Sequence, residues 1–128
     1  MLRTAIEQFG HRLGMDALSM SQQGIIALDV SGVGRLYLEI SKNSGQEELL
    51  VYIIRPVTVY DQDLARRALA FCHYAHAHPW PVHAGVHKDN LLILVRLSER
   101  SATAQTIENA ALFLANSLHS ICEGNKHA

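Results

Sequence analysis

Residues 35–40 read Arg35-Leu36-Tyr37-Leu38-Glu39-Ile40. Leu36, Leu38 and Ile40 recur at a period of two, and Arg35, Tyr37 and Glu39 occupy the alternate positions. Successive side chains of a strand point to opposite faces, so this stretch is a strand with one buried side. Immediately before it, Ser31-Gly32-Val33-Gly34 separates it from a second apolar run, Ile25-Ile26-Ala27-Leu28-Asp29-Val30. The glycines suit the positive φ of a hairpin turn. After it, a polar turn over 41–46, with Asn43 and Gly45, leads into a third strand over 49–55. There Val51 and Ile53 lie on one face and Leu50, Tyr52 and Ile54 on the other. Three strands joined by short turns form an antiparallel meander.

Working outward, Leu2, Ile6, Phe9 and Leu13 are spaced by four, three and four residues, the stripe of an amphipathic helix. Gly14 follows the last of them and suits a C-terminal cap. Gly10 within the helix costs about 1 kcal/mol relative to Ala, so this helix depends on packing. Residues 15–23 read as a polar loop. Past the meander, Pro56 ends the third strand, and Thr58 and Asp61 are candidate helix caps. The next helix, over 61–78, places Leu64, Ala65, Ala68, Phe71, Cys72 and Ala75 on one face. Its apolar side is built mostly of small residues, which suits close packing on a sheet or across a dimer axis. Pro79 and Pro81 close it.

A second hairpin runs over 82–87 and 91–97 with Lys88-Asp89-Asn90 at its turn. Ser101 or Thr103 caps a last helix striped by Ile107, Ala110, Ala111, Leu114, Leu118 and Ile121. The tail over 123–128 is polar and is expected to fray. The order α-β-β-β-α-β-β-α, with strands in hairpins and helices interposed, predicts an α+β fold. An antiparallel sheet flanked by three helices, in a single domain over 1–128, is the expectation. The strands over 49–55 and 91–95 are apolar at nearly every position. Either a two-sided core or a surface covered by a second polypeptide would account for them.

Composition narrows the function. The 128 residues are 48% hydrophobic, 6% aromatic and 18% charged, with a formal net charge of −1. So apolar a chain does not read as disordered. Without a basic face and stacking side chains, nucleic acid is not an expected partner. Near-zero net charge protects an apolar chain poorly from association, which points to a surface covered by a partner. No apolar run approaches the ~18 residues of a membrane span, and the N-terminus lacks a basic segment followed by an apolar block. A cytosolic location is expected. The two cysteines, Cys72 and Cys122, read as reduced, buried, small apolar residues.

Candidate chemistry is thin. His73, His76, His78, His83 and His87 cluster within one stretch, and His pairs at helical spacing can share a metal. However, no Cys or carboxylate completes a ligand motif, and these residues read as surface or interface histidines. Ser31-Gly32-Val33-Gly34-Arg35 lies between two strands and lacks the Lys-Ser/Thr ending of a phosphate loop. No serine sits on a nucleophile elbow, and Cys72 falls mid-helix on the apolar face, the place of an inert thiol. The expectation is a protein without catalytic, metal or cofactor-binding residues. The competing reading is a small α+β enzyme or metal protein using residues 73–87.

The layout and length resemble the class I, CesT-like chaperones of type III secretion systems. The stretches Pro81-Val82-His83-Ala84-Gly85, Leu91-Leu92-Ile93-Leu94-Val95 and Arg96-Leu97-Ser98-Glu99-Arg100-Ser101 resemble the SycN-type member. There too a Pro and an Ala-Gly precede an apolar strand ending in Val-x-Leu-x-Glu-Arg-Ser. The resemblance at residue level covers roughly residues 79–118. It implies a dimeric, non-enzymatic chaperone that binds the N-terminal segment of a secreted protein and keeps it stable and export-competent. It further implies a heterodimer with a YscB-like chaperone, acting on a YopN-like gatekeeper; a homodimer serving another effector is the alternative. Carried onto this chain, cargo contacts would fall on Leu2, Ile6, Phe9, Leu13, Leu36, Leu38, Val51 and Ile53. The dimer would form through the second helix and the following strand, at Leu64, Ala68, Phe71, Cys72, Ala75, Val82, Ala84 and Val86. Members of this group are usually acidic, and this chain departs from them in being nearly neutral.

Overall fold

A computed structural model describes residues 2–14, 24–30, 34–43, 45–56, 62–73, 80–87 and 89–122. In chain order the elements are α1 (Leu2–Arg12), β1 (Ile25–Val30), β2 (Gly34–Asn43), β3 (Gln46–Pro56), α2 (Gln62–His73), β4 (Val82–His87), β5 (Asn90–Ser98) and α3 (Ala104–Cys122). This is the α+β order expected from the pattern. The expected caps Thr58 and Asp61, the loop over 15–23, the tail over 123–128 and the end of the second helix beyond His73 lie outside the described residues.

The five strands form one antiparallel sheet in the order β1-β2-β3-β5-β4. The meander β1-β2-β3 carries the pairs Leu28↔Leu36 and Leu36↔Ile53. The second hairpin docks by β5, with Ile53↔Ile93 and Val51↔Val95, so β4 becomes an edge strand. At the first turn Val30 pairs with Gly34. Gly34 has φ +149, and a Cβ there would stand 2.7 Å from the Ile54 carbonyl oxygen. Only glycine lets the strand leave this turn so close to its neighbour.

Register places alternate strand residues on one face. Ile26, Leu36, Leu38, Leu49, Val51, Ile53, Leu91, Ile93, Val95 and Leu97 are all buried there. All three helices close over this side: Leu2, Ile6 and Phe9 from α1, Leu64 and Ala68 from α2, and Ile107, Ala110, Leu114, Leu118 and Ile121 from α3 join the same core. Each fully buried Leu or Ile contributes roughly 1.5–3 kcal/mol relative to exposure. The opposite positions, Leu50, Tyr52, Ile54, Leu92 and Leu94, are half-buried and carry no helix among the described residues. Among the described residues the core is therefore one-sided, and no helix covers the second apolar face of β3 and β5. On that open face Tyr37 and Tyr52 stack at 5.0 Å, and the Tyr52 hydroxyl donates to Glu39 at 2.9 Å. Burial, together with this bond to a carboxylate, holds the Tyr52 phenol protonated well above its ordinary range.

The helix ends follow local chemistry. Thr103 caps α3, its hydroxyl accepting from the Thr106 backbone N–H at 3.1 Å. Gly14 closes α1 in the left-handed region at φ +78, its N–H bonded to the His11 carbonyl. Gly10, within α1, is buried with the apolar stripe, as a helix dependent on packing requires.

Candidate functional site

α1 is fastened to α3 at its C-terminal end. One Arg12 nitrogen, Nη1, donates to Gln105 Oε1 and to Glu108 Oε2, each at 2.8 Å. The stripe of α1 runs one residue past the helix, so Leu2, Ile6 and Phe9 are buried while Leu13 is 49% exposed. Across from it, Ala111 and Ala115 present short side chains that leave space between α3 and the sheet edge. The result is a cleft of about 540 Å³. Leu28, Leu36 and Ile53 of the sheet, Phe9 and Leu13, and Ala111, Leu112 and Ala115 supply its apolar lining; Asp29 and Glu108 supply its polar lining. Leu112 stands 56% exposed at its margin. Two large apolar side chains are thus left in water around one concavity.

The other end of the sheet is built differently. α2 lies against β4, and there Leu69 is 65% exposed and Val86 43% exposed. Phe71 and Trp80 pack on Phe113 of α3, with ring centroids 6.3 and 5.6 Å away. Arg67 Nε donates to the Ile121 carbonyl at 2.7 Å, capping the end of α3 from α2. Cys72 is a free thiol, half-buried. Burial pushes its pKa up, opposed by a backbone hydrogen bond at Ala84 of β4, which fits the inert thiol expected of it.

The residues expected to meet cargo divide in two. Leu13 is exposed at the cleft, and Phe9, Leu36 and Ile53 form its floor although they are buried at 3% exposure or less, whereas Leu2, Ile6, Leu38 and Val51 are equally buried and do not line it. A helical stripe and the inward positions of a strand are consumed by the chain's own packing before any partner arrives. The same holds at the proposed dimer elements. Leu64, Ala68 and Val82 are buried in the core, Phe71, Cys72 and Ala84 are half-buried, and Val86 is exposed. Ala75 lies outside the described residues. Leu69 and Leu112, the most exposed large apolar side chains described, were not singled out from sequence. Their signal was available: each is a leucine that falls off the stripe of its own helix.

Among the described residues no three His, Cys, Asp or Glu side chains are grouped to hold a metal, and no helix is long and apolar enough to cross a membrane. His76 and His78 lie outside the described residues.

Residues 1–121 match the family model described as type III secretory system chaperone SycN. The chain belongs to this chaperone family. Solved structures share the fold at low identity. One is the HopA1-SchA chaperone-effector complex, with a TM-score of 0.75 at 14% identity over 94% of this chain and 92% of that one. Another is the ExsC-ExsE complex, with a TM-score of 0.70 at 18% identity over 94% and 90% of the two chains. A third is the Yersinia pestis type III secretion chaperone SycH in complex with a stable fragment of YscM2, with a TM-score of 0.68 at 14% identity over 92% and 99%. No curated protein is detectably related to the chain by sequence. The SycN family is one of chaperones rather than enzymes, and the fold around the cleft is that of solved type III secretion chaperones.

Proposed function

We propose that this SycN-family chain binds an N-terminal segment of a secreted protein in the cleft between α1, α3 and the β1 edge, and keeps that protein stable and export-competent. The observation that carries this reading is the exposure of Leu13 and Leu112 around an apolar concavity of about 540 Å³. Its place beside β1 adds a second recognition element. β1 stands at one end of the sheet order of the described strands, and a cargo strand added beside it would contribute main-chain hydrogen bonds. Burial of cargo side chains contributes roughly 25 cal/mol per Å² of apolar surface, and ordering an extended cargo segment offsets part of it. The mechanism is stoichiometric binding with no bond made or broken. The resemblance of residues 79–118 to SycN-type sequences supports a YopN-like gatekeeper as cargo. It also supports a YscB-like chaperone as second subunit, seated on α2 and β4 where Leu69 and Val86 are exposed.

Co-expression with a candidate YopN-like gatekeeper and a YscB-like small chaperone tests the reading. A ternary complex that co-purifies through size exclusion is expected. Recovery of a homodimer with a different exported protein would move the assignment to the homodimeric alternative. Failure of every neighbouring secretion protein to co-purify would overturn the chaperone role. Metal analysis of untagged protein addresses the histidine-based alternative, and no stoichiometric metal is expected.

A further inference from the structure

The two exposed leucines of the cleft are supported unequally. Leu112 sits within the 19-residue α3, whereas Leu13 follows the end of α1. α1 has 11 residues, short of the ~12–15 at which a helix is even marginal by itself. Leu2, Ile6 and Phe9 anchor its earlier turns in the core, but Leu13 is 49% exposed. The Leu13 N–H bonds back to the Phe9 and Gly10 carbonyls at 3.2 and 3.0 Å. Gly14 beyond it stands at φ +78, with open space where a Cβ would point. An exposed helix end of this kind frays unless something ties it down.

Arg12 supplies the tie. Its Nη1 donates to Gln105 Oε1 and to Glu108 Oε2, each at 2.8 Å. Gln105 is itself held, its Nε2 donating to Asn109 Oδ1 at 2.9 Å. Glu108 lines the cleft and lies one turn before Leu112 on the same face of α3. The tie therefore joins the residue before Leu13 to the turn of α3 before Leu112. We propose that Arg12 is a positioning residue of the cleft: its two bonds to α3 hold Leu13 in the lining, so that the apolar site is formed before a ligand arrives. The proposal rests on the reading of the cleft as a binding site. A wall already in place spares the incoming side chain the cost of ordering it. The Arg12 and Glu108 side chains are 46% and 37% exposed, and an ion pair so exposed adds little to global stability. What it supplies is local order, and it acts on a ligand through Leu13.

Titration of the purified full chain with Nile red, a neutral apolar dye, tests this, with amide exchange followed in the same proteins. Arg12→Met keeps an apolar stem and removes the donors. It is expected to weaken dye binding about fivefold, the upper scale of an exposed ion pair. Exchange at the Leu13 and Gly14 amides should speed up, and the denaturant midpoint should stay nearly unchanged. Arg12→Lys, which keeps the charge and can still donate, should retain most of the binding. Leu13→Ala should also weaken binding, and adding Arg12→Met to it should weaken binding no further, because the tie then has no wall to hold. Binding unaffected by Arg12→Met, or effects of Arg12→Met and Leu13→Ala that simply add, overturns the positioning role and leaves the cleft reading standing. Binding unaffected by both Leu13→Ala and Leu112→Ala, or no binding to the unsubstituted chain, overturns the cleft reading and the inference with it.

Discussion

At the β1 edge, α1 is tied to α3 through Arg12, and the exposed Leu13 and Leu112 both line a concavity there. At the β4 edge, α2 lies down on the strand, and the exposed Leu69 and Val86 stand among small neighbours such as Ala68, Ala70, Ala84 and Gly85. Both ends leave large apolar side chains in water, but in different shapes. A cleft takes individual side chains of an extended chain, which arrives without a fold of its own. A helix and strand bearing small residues let another preformed surface approach closely. The difference fits the proposed function, in which an unfolded cargo segment takes the first end and a folded second subunit the other.

Charge placed at each end separates the two roles. Leu13→Asp with Leu112→Asp should weaken cargo binding by about a hundredfold or more, equivalent to roughly 3 kcal/mol, and leave the subunit partner bound. Leu69→Asp with Val86→Asp should do the reverse. Pull-down of each partner from co-expressed variants measures both. If either pair of substitutions releases both partners together, the two ends are one surface and the comparison fails.

The comparison sharpens when one helix is probed at two leucines. Leu114 is fully buried and Leu112 is 56% exposed, only two residues apart on α3. Leu114→Ala should cost about 2–5 kcal/mol in denaturant unfolding. Leu112→Ala should change stability by about 0.5 kcal/mol or less while weakening cargo binding. Equal stability costs would mean that Leu112 is a core residue and that the cleft is closed in solution.

These pairs also show what the sequence revealed. The strands were legible because alternation in Arg35–Ile40 and continuous apolarity in β3 and β5 are properties of local order alone. The stripes of α1 and α3 were legible for the same reason, and the cap of α3 was narrowed to Ser101 or Thr103, of which the structure uses Thr103. The cleft was not, because a stripe reports which side chains face inward, and inward-facing Leu2, Ile6, Leu38 and Val51 are used up by the fold itself. The large apolar residues the fold leaves exposed near these ends include Leu69 and Leu112, which fall off the stripes of their helices, and Leu13, the last member of the α1 stripe, just past the helix end. The docking of β5 beside β3, which puts β4 at an edge, depends on long-range pairing that no local pattern encodes.

Smaller effects test how each end is held. Gly34→Ala forces a Cβ to within 2.7 Å of the Ile54 carbonyl at a positive φ, a cost of about 1–3 kcal/mol. Because Gly34 begins β2 directly opposite the end of β1, the loss should loosen the cleft edge first. Hydrogen exchange in β1 should rise before exchange in β4. Uniform exchange across the sheet would show that the hairpin does not govern that edge separately.

The smallest expected effect lies at the other end, on Cys72. Its thiol faces β4 at Ala84, and burial raises its pKa more than the backbone hydrogen bond there lowers it. A raised acid pKa means that folding favours the neutral thiol. Below the ordinary thiol value of about 8.5, both folded and unfolded chains hold the proton, and the group leaves stability independent of pH. As pH rises past that value the unfolded chain ionises first, and stability falls until the folded thiol ionises as well. Alkylation of native protein near pH 8.5 should therefore run slower than alkylation of the denatured chain, and a second subunit seated on α2 and β4 should slow it further. The cleft variant Leu13→Asp with Leu112→Asp should leave that rate unchanged, whereas Leu69→Asp with Val86→Asp should remove the extra protection that the partner gives. A native rate equal to the denatured one would place Cys72 in open water and remove the close packing of α2 on β4 from which the folded-partner assignment is argued.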